Sequence, residues 1–279
     1  SKVSHSDGTS GNMNYDPLNR IVNLRWQEKG SDSVFQALAY DLAGNSAQLS
    51  REHGSYALSY DETDQLIGSK YQGKLRDQSG SWQYDLLGNR LRDSRNGISR
   101  QTANFLLQNE RSNFYSDEDG FGETVRESTK DGEKLYSYRA DGKIAGFIGN
   151  GIHAIYHYDG LDRLIAKEIK TKTETFVQSF LHLGQETRVL LGKAGNGEVT
   201  TYIDGQGVAE RVGEVKGTIG KGYITDHLGS VLNSEVAGTA KSFGIMGEVY
   251  ANVALSPASN AVNYGWQGLS YDCLLYTSD

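Results

Sequence analysis

The sequence of 279 residues contains one cysteine, Cys273, and only two prolines. A single cysteine excludes an internal disulfide and any metal site built from several cysteines. No stretch approaches the ~20 consecutive apolar residues that span a membrane, and the first residues lack the apolar run of a signal peptide. Stability must therefore come from backbone hydrogen bonds and packing.

Positive charge is also sparse. The chain has 28 Lys and Arg against 35 Asp and Glu, a formal net charge of -7. Nucleic-acid binding needs concentrated basic charge to neutralise phosphates, and no Lys/Arg cluster of that kind is present. We therefore expect no nucleic-acid partner.

What the chain has in quantity is glycine and tyrosine, with 34 and 17 residues. Glycines fall every few residues, and each costs about 1 kcal/mol relative to alanine inside a helix. Tyrosine suits a sheet with two dissimilar faces, since its ring can be buried while its hydroxyl finds a partner. Composition thus favours strands over helices.

A Tyr-Asp motif, followed by Gly, Asn or Asp and often by a basic residue, recurs about every 20–25 residues. One gap is roughly twice as long, and we expect it to hold a degenerate copy near Tyr115. Such self-similarity predicts a stacked array of supersecondary units. The copies lie at Tyr15–Asp16, Tyr40–Asp41, Tyr60–Asp61, Tyr84–Asp85, Tyr138–Asp141 and Tyr158–Asp159.

Each copy is interpreted as a β-hairpin, because β-prone runs flank Asp, Gly and Asn residues that tolerate the positive φ of tight turns. We expect the tyrosine to pack against its equivalent in the next hairpin and the aspartate to accept turn amides. The basic residues Arg20, Arg90, Lys143 and Arg163 are expected to return to the aspartate or its neighbour.

Two stretches interrupt the pattern. Residues 98–119 lack glycine and are compatible with a short helix or an irregular strand pair, whereas residues 167–183 predict two strands around the polar KTKTET tract. No Pro/Ser-rich linker separates these segments, which favours one continuous sheet over two hinged domains. The predicted fold is therefore all-β, with successive β-hairpins forming one curved, shell-like continuous sheet.

Candidate catalytic residues are few. Asp226, His227 and Ser230 supply the ingredients of a Ser/His/Asp triad, but adjacent residues of one strand point to opposite faces of a sheet. We interpret this segment as a strand-turn packing motif and predict no catalytic residue.

Candidate metal ligands are equally weak. His153 and His157 have the spacing of a helical ligand pair, yet on the predicted strand they lie about 13 Å apart. Asp117, Glu118 and Asp119 lack the full spaced set of calcium ligands. We predict no metal or cofactor site.

Together with the motifs TDHLGSV at 225–231, GEVY at 247–250 and YGWQGLSYD at 264–272, the repeats resemble the YD repeats of RHS proteins. These proteins include bacterial polymorphic toxins, wall-associated proteins and animal teneurins. The resemblance implies a hollow β-shell that encloses a C-terminal toxin. It also implies a core region that closes the shell and in many members cuts the chain by using aspartates that lie downstream of the YGWQGLSYD segment.

On this basis residues 1–222 form the repeat region and residues 223–272 the start of the RHS-associated core region. The family pattern does not continue after Asp272. Residues 273–279, CLLYTSD, resemble a translated sequencing adapter, and we predict that they are a non-native tail. Because the downstream aspartates are absent from this sequence, we predict that it is not an enzyme.

The resemblance implies a structural shell fragment of a secreted or cell-surface protein that encapsulates and helps deliver a C-terminal toxin. Its implied partners are that toxin and the secretion machinery. The alternative is an adhesion protein that binds carbohydrate, with Trp26, Trp82 and Trp266 stacking on sugar rings. Packing of these tryptophans between hairpins is the simpler expectation.

Overall fold

The computed structural model describes residues 1–28, 31–75, 78–94, 100–102, 105–108, 112–116, 123–130, 132–205, 210–233, 245, 263–264, 267 and 270–272. Within these residues the secondary structure is β, so the all-β prediction is confirmed. The strands are β1 Lys2–Ser4, β2 Ser10–Tyr15, β3 Ile21–Glu28, β4 Ser31–Tyr40, β5 Ser46–Arg51, β6 Gly54–Tyr60, β7 Leu66–Gly73, β8 Gly80–Tyr84, β9 Arg90–Asp93, β10 Arg100–Thr102, β11 Phe105–Gln108, β12 Ser112–Ser116, β13 Thr124–Thr129, β14 Gly132–Tyr138, β15 Ile144–Gly149, β16 Ile152–Tyr158, β17 Leu164–Lys170, β18 Thr175–His182, β19 Val189–Lys193, β20 Val199–Asp204, β21 Arg211–Lys216, β22 Ile219–Gly222, β23 Asn263–Tyr264 and β24 Ser270–Tyr271.

The strands form two large sheets in which neighbours follow one another along the chain. Strands β1 to β9 make a nine-stranded sheet, β10 to β22 a thirteen-stranded sheet, and β23 pairs with β24. Neighbouring strands such as β2 and β3, β6 and β7, and β16 and β17 pair in antiparallel fashion, as expected for joined hairpins. The row predicted as one sheet is thus divided after β9.

The segments that interrupted the sequence pattern are also strands where they are described. Strands β10, β11 and β12 fall within residues 98–119, so the irregular-strand alternative holds there. Strands β17 and β18 flank the KTKTET tract as predicted.

The chain forms two compact units. One consists of Ser1–Phe35 together with His153–Asp279, and the other of Gln36–Ile152. The first unit has two apolar clusters, described below. In the second unit Tyr56 and Tyr71 pack with ring centroids 5.0 Å apart, and Tyr136 packs on Phe147 at 5.6 Å.

One five-residue turn recurs in many of the hairpins. The N–H of its first residue donates to the carbonyl of the fifth, and the N–H of the fourth donates back to the carbonyl of the first; in the turn at Asp159 both distances are 3.0 Å. The fourth residue has positive φ, which explains why Gly, Asn or Asp stands there. This turn begins at His5, Asp16, Asp41, Asp61, Asp85, Arg139, Asp159, Ala194 and Asp226.

A side-chain oxygen accepts the N–H of the fifth residue in each of these turns, and it comes from one of two places. Where the first residue is Asp, its Oδ1 accepts that N–H, as Asp159 does from Arg163 at 3.0 Å. In the turns at His5, Arg139 and Ala194 the acceptor is the third residue: Asp7, Asp141 and Asn196, at 2.9, 3.3 and 2.9 Å. The predicted role of the aspartate is therefore confirmed, and the turns without Tyr-Asp use the same chemistry from a different position.

The tyrosine before the turn has a role that the sequence did not indicate. The hydroxyl of Tyr60 donates to the carbonyl of Ser46, the first residue after the preceding turn, at 3.0 Å. Tyr84 donates to Leu66 in the same way at 3.0 Å. Tyr60 and Tyr84 therefore each link successive hairpins by a hydrogen bond to the backbone.

The degenerate copy expected near Tyr115 follows the same scheme. Ser116 pairs with Thr124 after a register shift, as Tyr60 pairs with Leu66. Tyr138 then donates to the carbonyl of Thr124 at 3.0 Å. Ser116 thus stands at the tyrosine position of this copy.

The basic residues behave differently from one another. Arg20 and Arg163 return to their aspartates, with Nε to Oδ2 distances of 2.7 and 2.8 Å. Arg90 was expected to return to Asp85 or its neighbour, and this prediction was wrong. Arg90 lies one position beyond the turn and forms an ion pair with Asp93 at 3.3 Å. The amide of Asn89, the fifth turn residue, donates to Asp85 Oδ2 at 2.9 Å instead. The N–H of Lys143 bonds Asp141, the neighbouring carboxylate.

The positive φ of the fourth turn residue can be tested at Gly197, where φ is 88° and a Cβ would meet no atom within 4 Å. We expect Gly197→Ala to lower the free energy of unfolding by about 1–2 kcal/mol, because only the backbone conformation penalises it. Urea unfolding measures the change. Gly160→Ala, at the second position of a turn, also meets nothing within 4 Å and has no positive φ. We expect this control to leave the free energy of unfolding unchanged. An equal decrease in both variants would contradict the role assigned to positive φ.

The Asp159 turn should also make stability depend on pH. The hydrogen bond from the Arg163 side chain, reinforced by its backbone N–H, lowers the pKa of Asp159 from 3.8 to about 2. Because the folded-state pKa lies below the ordinary value, this contribution is complete above pH 4 and is lost as pH falls through about 2. Asp159→Asn removes the charge. Its urea midpoint should lie below that of the parent chain at neutral pH and converge with it towards pH 2; a gap that stays constant would refute this.

Candidate functional site

Several hydrogen bonds join distant parts of the sequence at residues 222–233 and at the described residues within 263–272, and we call these two stretches the docking region. Its first part follows β22 and forms a small hairpin: Thr225 pairs with Val231, and the N–H of Leu232 donates to the carbonyl of Ile224 at 2.7 Å. The turn at Asp226 closes this hairpin with the five-residue geometry of the repeats. The docking region therefore begins with a turn of the repeat type in which Thr225 replaces the tyrosine.

This hairpin docks on the first strands of the chain. Trp26 Nε1–H donates to the carbonyl of Thr225 at 2.8 Å, and the N–H of Gly222 donates to Asp7 Oδ2 at 2.7 Å. An apolar cluster surrounds these bonds, with Val3, Met13 and Ile21 packed against its buried members Leu24, Trp26, Val34, Ile224 and Leu232. Residues about 200 positions apart in sequence thus share one core.

The charge of Asp7 is stabilised by this contact. Burial disfavours the ionised carboxylate, but hydrogen bonds from Gly222 and Thr9 outweigh that effect and lower the pKa of Asp7 below 3.8. The same carboxylate accepts the turn amide of Thr9 through Oδ1. One side chain therefore completes a turn and holds the docked segment.

The residues that resembled a triad are used structurally. Asp226 begins a turn and does not lie in a strand beside His227, so the expected strand geometry was wrong at this point. Asp226 Oδ1 accepts the N–H of Leu228 and of Ser230, at 2.9 and 2.8 Å. Ser230 is 0% exposed, and its hydroxyl accepts the N–H of Gln267 at 3.0 Å. A buried hydroxyl engaged in this way is not presented to a substrate.

The second part of the docking region packs through Tyr264. This residue forms a buried cluster with Tyr202, Tyr223 and Val231, and Arg211 lies over its ring at 4.3 Å. Burial raises the pKa of Tyr264 to about 12. Burial, followed by the nearby Glu214 carboxylate, raises the pKa of Tyr223 as well. These tyrosines are protonated packing groups at neutral pH.

The docking region ends on an ion pair. Lys167 Nζ lies 3.1 Å from Asp272 Oδ1, and the hydroxyl of Tyr156 donates to Asp272 Oδ2 at 3.1 Å. Lys167 is only 4% exposed. No spacing in the sequence indicates this cluster, because Asp272 lies more than 100 residues from both Tyr156 and Lys167.

The other candidate residues are not brought together. His153 and His157 both lie on the exposed side of β16, as strand alternation predicts. Among the described residues, no group of three His, Cys, Asp or Glu side chains forms a metal-binding cluster. Asp117, Glu118, Asp119 and Cys273 lie outside the described residues.

The tryptophans considered for sugar binding are buried where they are described. Trp26 and Trp82 are each 2% exposed. Neither presents a ring face to solvent, so packing is their role in this structure. Trp266 lies outside the described residues.

Fold and site together define a β-hairpin repeat protein onto which a later segment of the chain docks. No protein-family model and no curated protein matches the sequence. Among solved structures, it is similar to the Photorhabdus luminescens Tc holotoxin pore with the TccC3-D651A mutation and to the TcdB2–TccC3 complex. The TM-score is 0.55 in both cases, with 13% and 12% identity, and the match covers 82% of this chain.

This chain spans 14% of the length of those toxin chains. At such low identity the likeness concerns the fold, and at that level it confirms the resemblance to the RHS/YD-repeat shell. Among the described residues there is no helix with the length and apolar character needed to cross a membrane.

The contact between Trp26 and the docking region can be tested with Trp26→Phe. The variant keeps an aromatic ring but leaves the Thr225 carbonyl without its donor, which we expect to cost about 1–3 kcal/mol. Hydrogen exchange should become faster in peptides covering residues 222–233. Trp82→Phe, at an equally buried tryptophan of the other unit, is the control and should not affect those peptides. The same acceleration in both variants would contradict the assigned contact.

Proposed function

We propose that this chain is a section of the shell of an RHS-repeat protein, and that the complete protein encloses and helps deliver a C-terminal effector. The observation that carries the proposal is the fold: a row of antiparallel hairpins that matches part of two toxin-complex chains at a TM-score of 0.55. The partners would be the effector of the same chain and the machinery that secretes it, and the protein would act outside the cell or at its surface.

The use of polar residues in the repeats supports a structural role. The aspartates of the repeats accept turn amides, and the hydroxyls of Tyr60 and Tyr84 join neighbouring hairpins. Asp226 and Ser230 are likewise engaged by backbone groups. We therefore propose that this section is not an enzyme; purified chain that cleaves itself or a generic substrate would refute this.

A closed shell would protect its cargo in a simple physical way. A wall of paired strands leaves few backbone groups free to recruit other chains, and it excludes proteases from whatever lies inside. Two apolar clusters join the docking region to the first strands and to β19 and β20, which supports a sheet that holds this later segment firmly.

The test needs the gene read beyond codon 272 and the complete protein expressed from it. Limited proteolysis followed by mass spectrometry should leave the C-terminal segment intact within the complete protein. The control is the same segment fused to an unrelated folded protein, where it should be digested at least about tenfold faster. Equal digestion in the two settings would overturn encapsulation.

Adhesion through carbohydrate remains the alternative prediction, but the tryptophans argue against its simplest form. Because Trp26 and Trp82 are buried, a sugar cannot stack on them without unpacking the hairpins. A glycan array on the purified chain checks this directly. Selective binding that is lost in Trp82→Ala, in a variant that still folds, would favour adhesion.

A further inference from the structure

Lys167 is the only lysine among the buried residues of the described chain, and the sheet itself does not neutralise it. Its direct cross-strand partners are Tyr156 on β16 and Gln178 on β18, both of which are uncharged. The next residue along β17 on the same face, Ile169, is apolar and fully buried. A charge in such a place requires an opposite charge nearby, which Asp272 supplies.

A cluster of the same composition occurs in the other unit with a local carboxylate. Lys134 Nζ and the hydroxyl of Tyr136 both donate to Glu127 Oε2, at 3.1 and 3.0 Å. Glu127 is the direct cross-strand partner of Lys134 on neighbouring strands. There the sheet provides lysine, tyrosine and carboxylate together, whereas on β16 and β17 it provides only the first two.

In the described part of the segment that contributes Asp272, the regular structure is one short pair of strands. Strands β23 and β24 pair through only two residue pairs, Asn263 with Tyr271 and Tyr264 with Ser270. An isolated two-stranded ribbon is at best marginally stable in water. Side chains must therefore attach this ribbon to the large sheet. Asp272, which directly follows β24, provides such a side chain.

We propose that Tyr156 and Lys167 form a carboxylate-binding site on the sheet, and that the side chain of Asp272 is its ligand. The site is complete as soon as β16 and β17 pair, and it then captures the later segment by charge. Binding of the Asp272 side chain at this site fixes the position of residue 272 on the sheet. The inference rests on these contacts alone and is independent of whether the complete protein encloses a cargo.

Hydrogen exchange on the complete 279-residue chain tests the proposal. Asp272→Asn removes the charge and keeps the shape. We expect exchange in peptides covering residues 263–272 to become at least about tenfold faster, while peptides of β16 to β18 keep their protection. Lys167→Met should produce the same acceleration, and the double variant should be no faster than either single variant, because one interaction is lost in all three.

Lys134→Met is the matched control, since it removes the lysine of the local cluster. It should accelerate exchange in β13 and β14 and leave residues 263–272 unchanged. The proposal is overturned if Asp272→Asn leaves residues 263–272 as protected as before, or if the effects of the two single variants multiply in the double variant. It is also overturned if Lys134→Met releases residues 263–272 to the same degree.

Discussion

The hydrogen bond on which the repeats depend joins a side-chain oxygen to the N–H of the fifth turn residue. The two backbone bonds of the turn leave this N–H without a backbone partner, and a buried or half-buried donor in that state costs about 1–3 kcal/mol. Asp at the first position or Asp or Asn at the third position removes the cost. Sequences as different as YDGLDR and HSDGT therefore form one geometry, with residues of positive φ such as Asp162 and Gly8 in the fourth position.

Tyrosine hydroxyls connect several of these hairpins to the preceding one. The hydroxyl of Tyr60 or Tyr84 donates to the first carbonyl after the preceding turn. His182 occupies the corresponding position on β18, where its Nε2 lies 2.8 Å from the carbonyl of Leu164. A ring with a polar tip thus supplies a hydrogen-bond partner for the carbonyl that directly follows the turn.

The docking region uses the same elements for a different purpose. The turn at Asp226 is a repeat turn, yet its hairpin packs on Trp26 and Leu24 near the start of the chain. The cluster of Tyr156, Lys167 and Asp272 repeats the chemistry of Tyr136, Lys134 and Glu127, but its carboxylate arrives from a distant segment. Attachment of the docking region therefore uses the kinds of interaction found in the repeats, between residues that lie much further apart along the chain.

The sequence by itself determined the strands, the hairpins and most of the turns, because the Asp159 turn joins residues at most four positions apart and its spacing can be read directly. It missed the turn at His5, where the tyrosine is absent, and wrongly placed Asp226 in a strand beside His227. It also misassigned Arg90, which lies one position beyond the turn. Only the tertiary structure decided that Trp26 donates to Thr225 and that Lys167 binds Asp272, since these pairs lie 199 and 105 residues apart. Such contacts depend on how the packed strands place distant segments, and no local period encodes that placement.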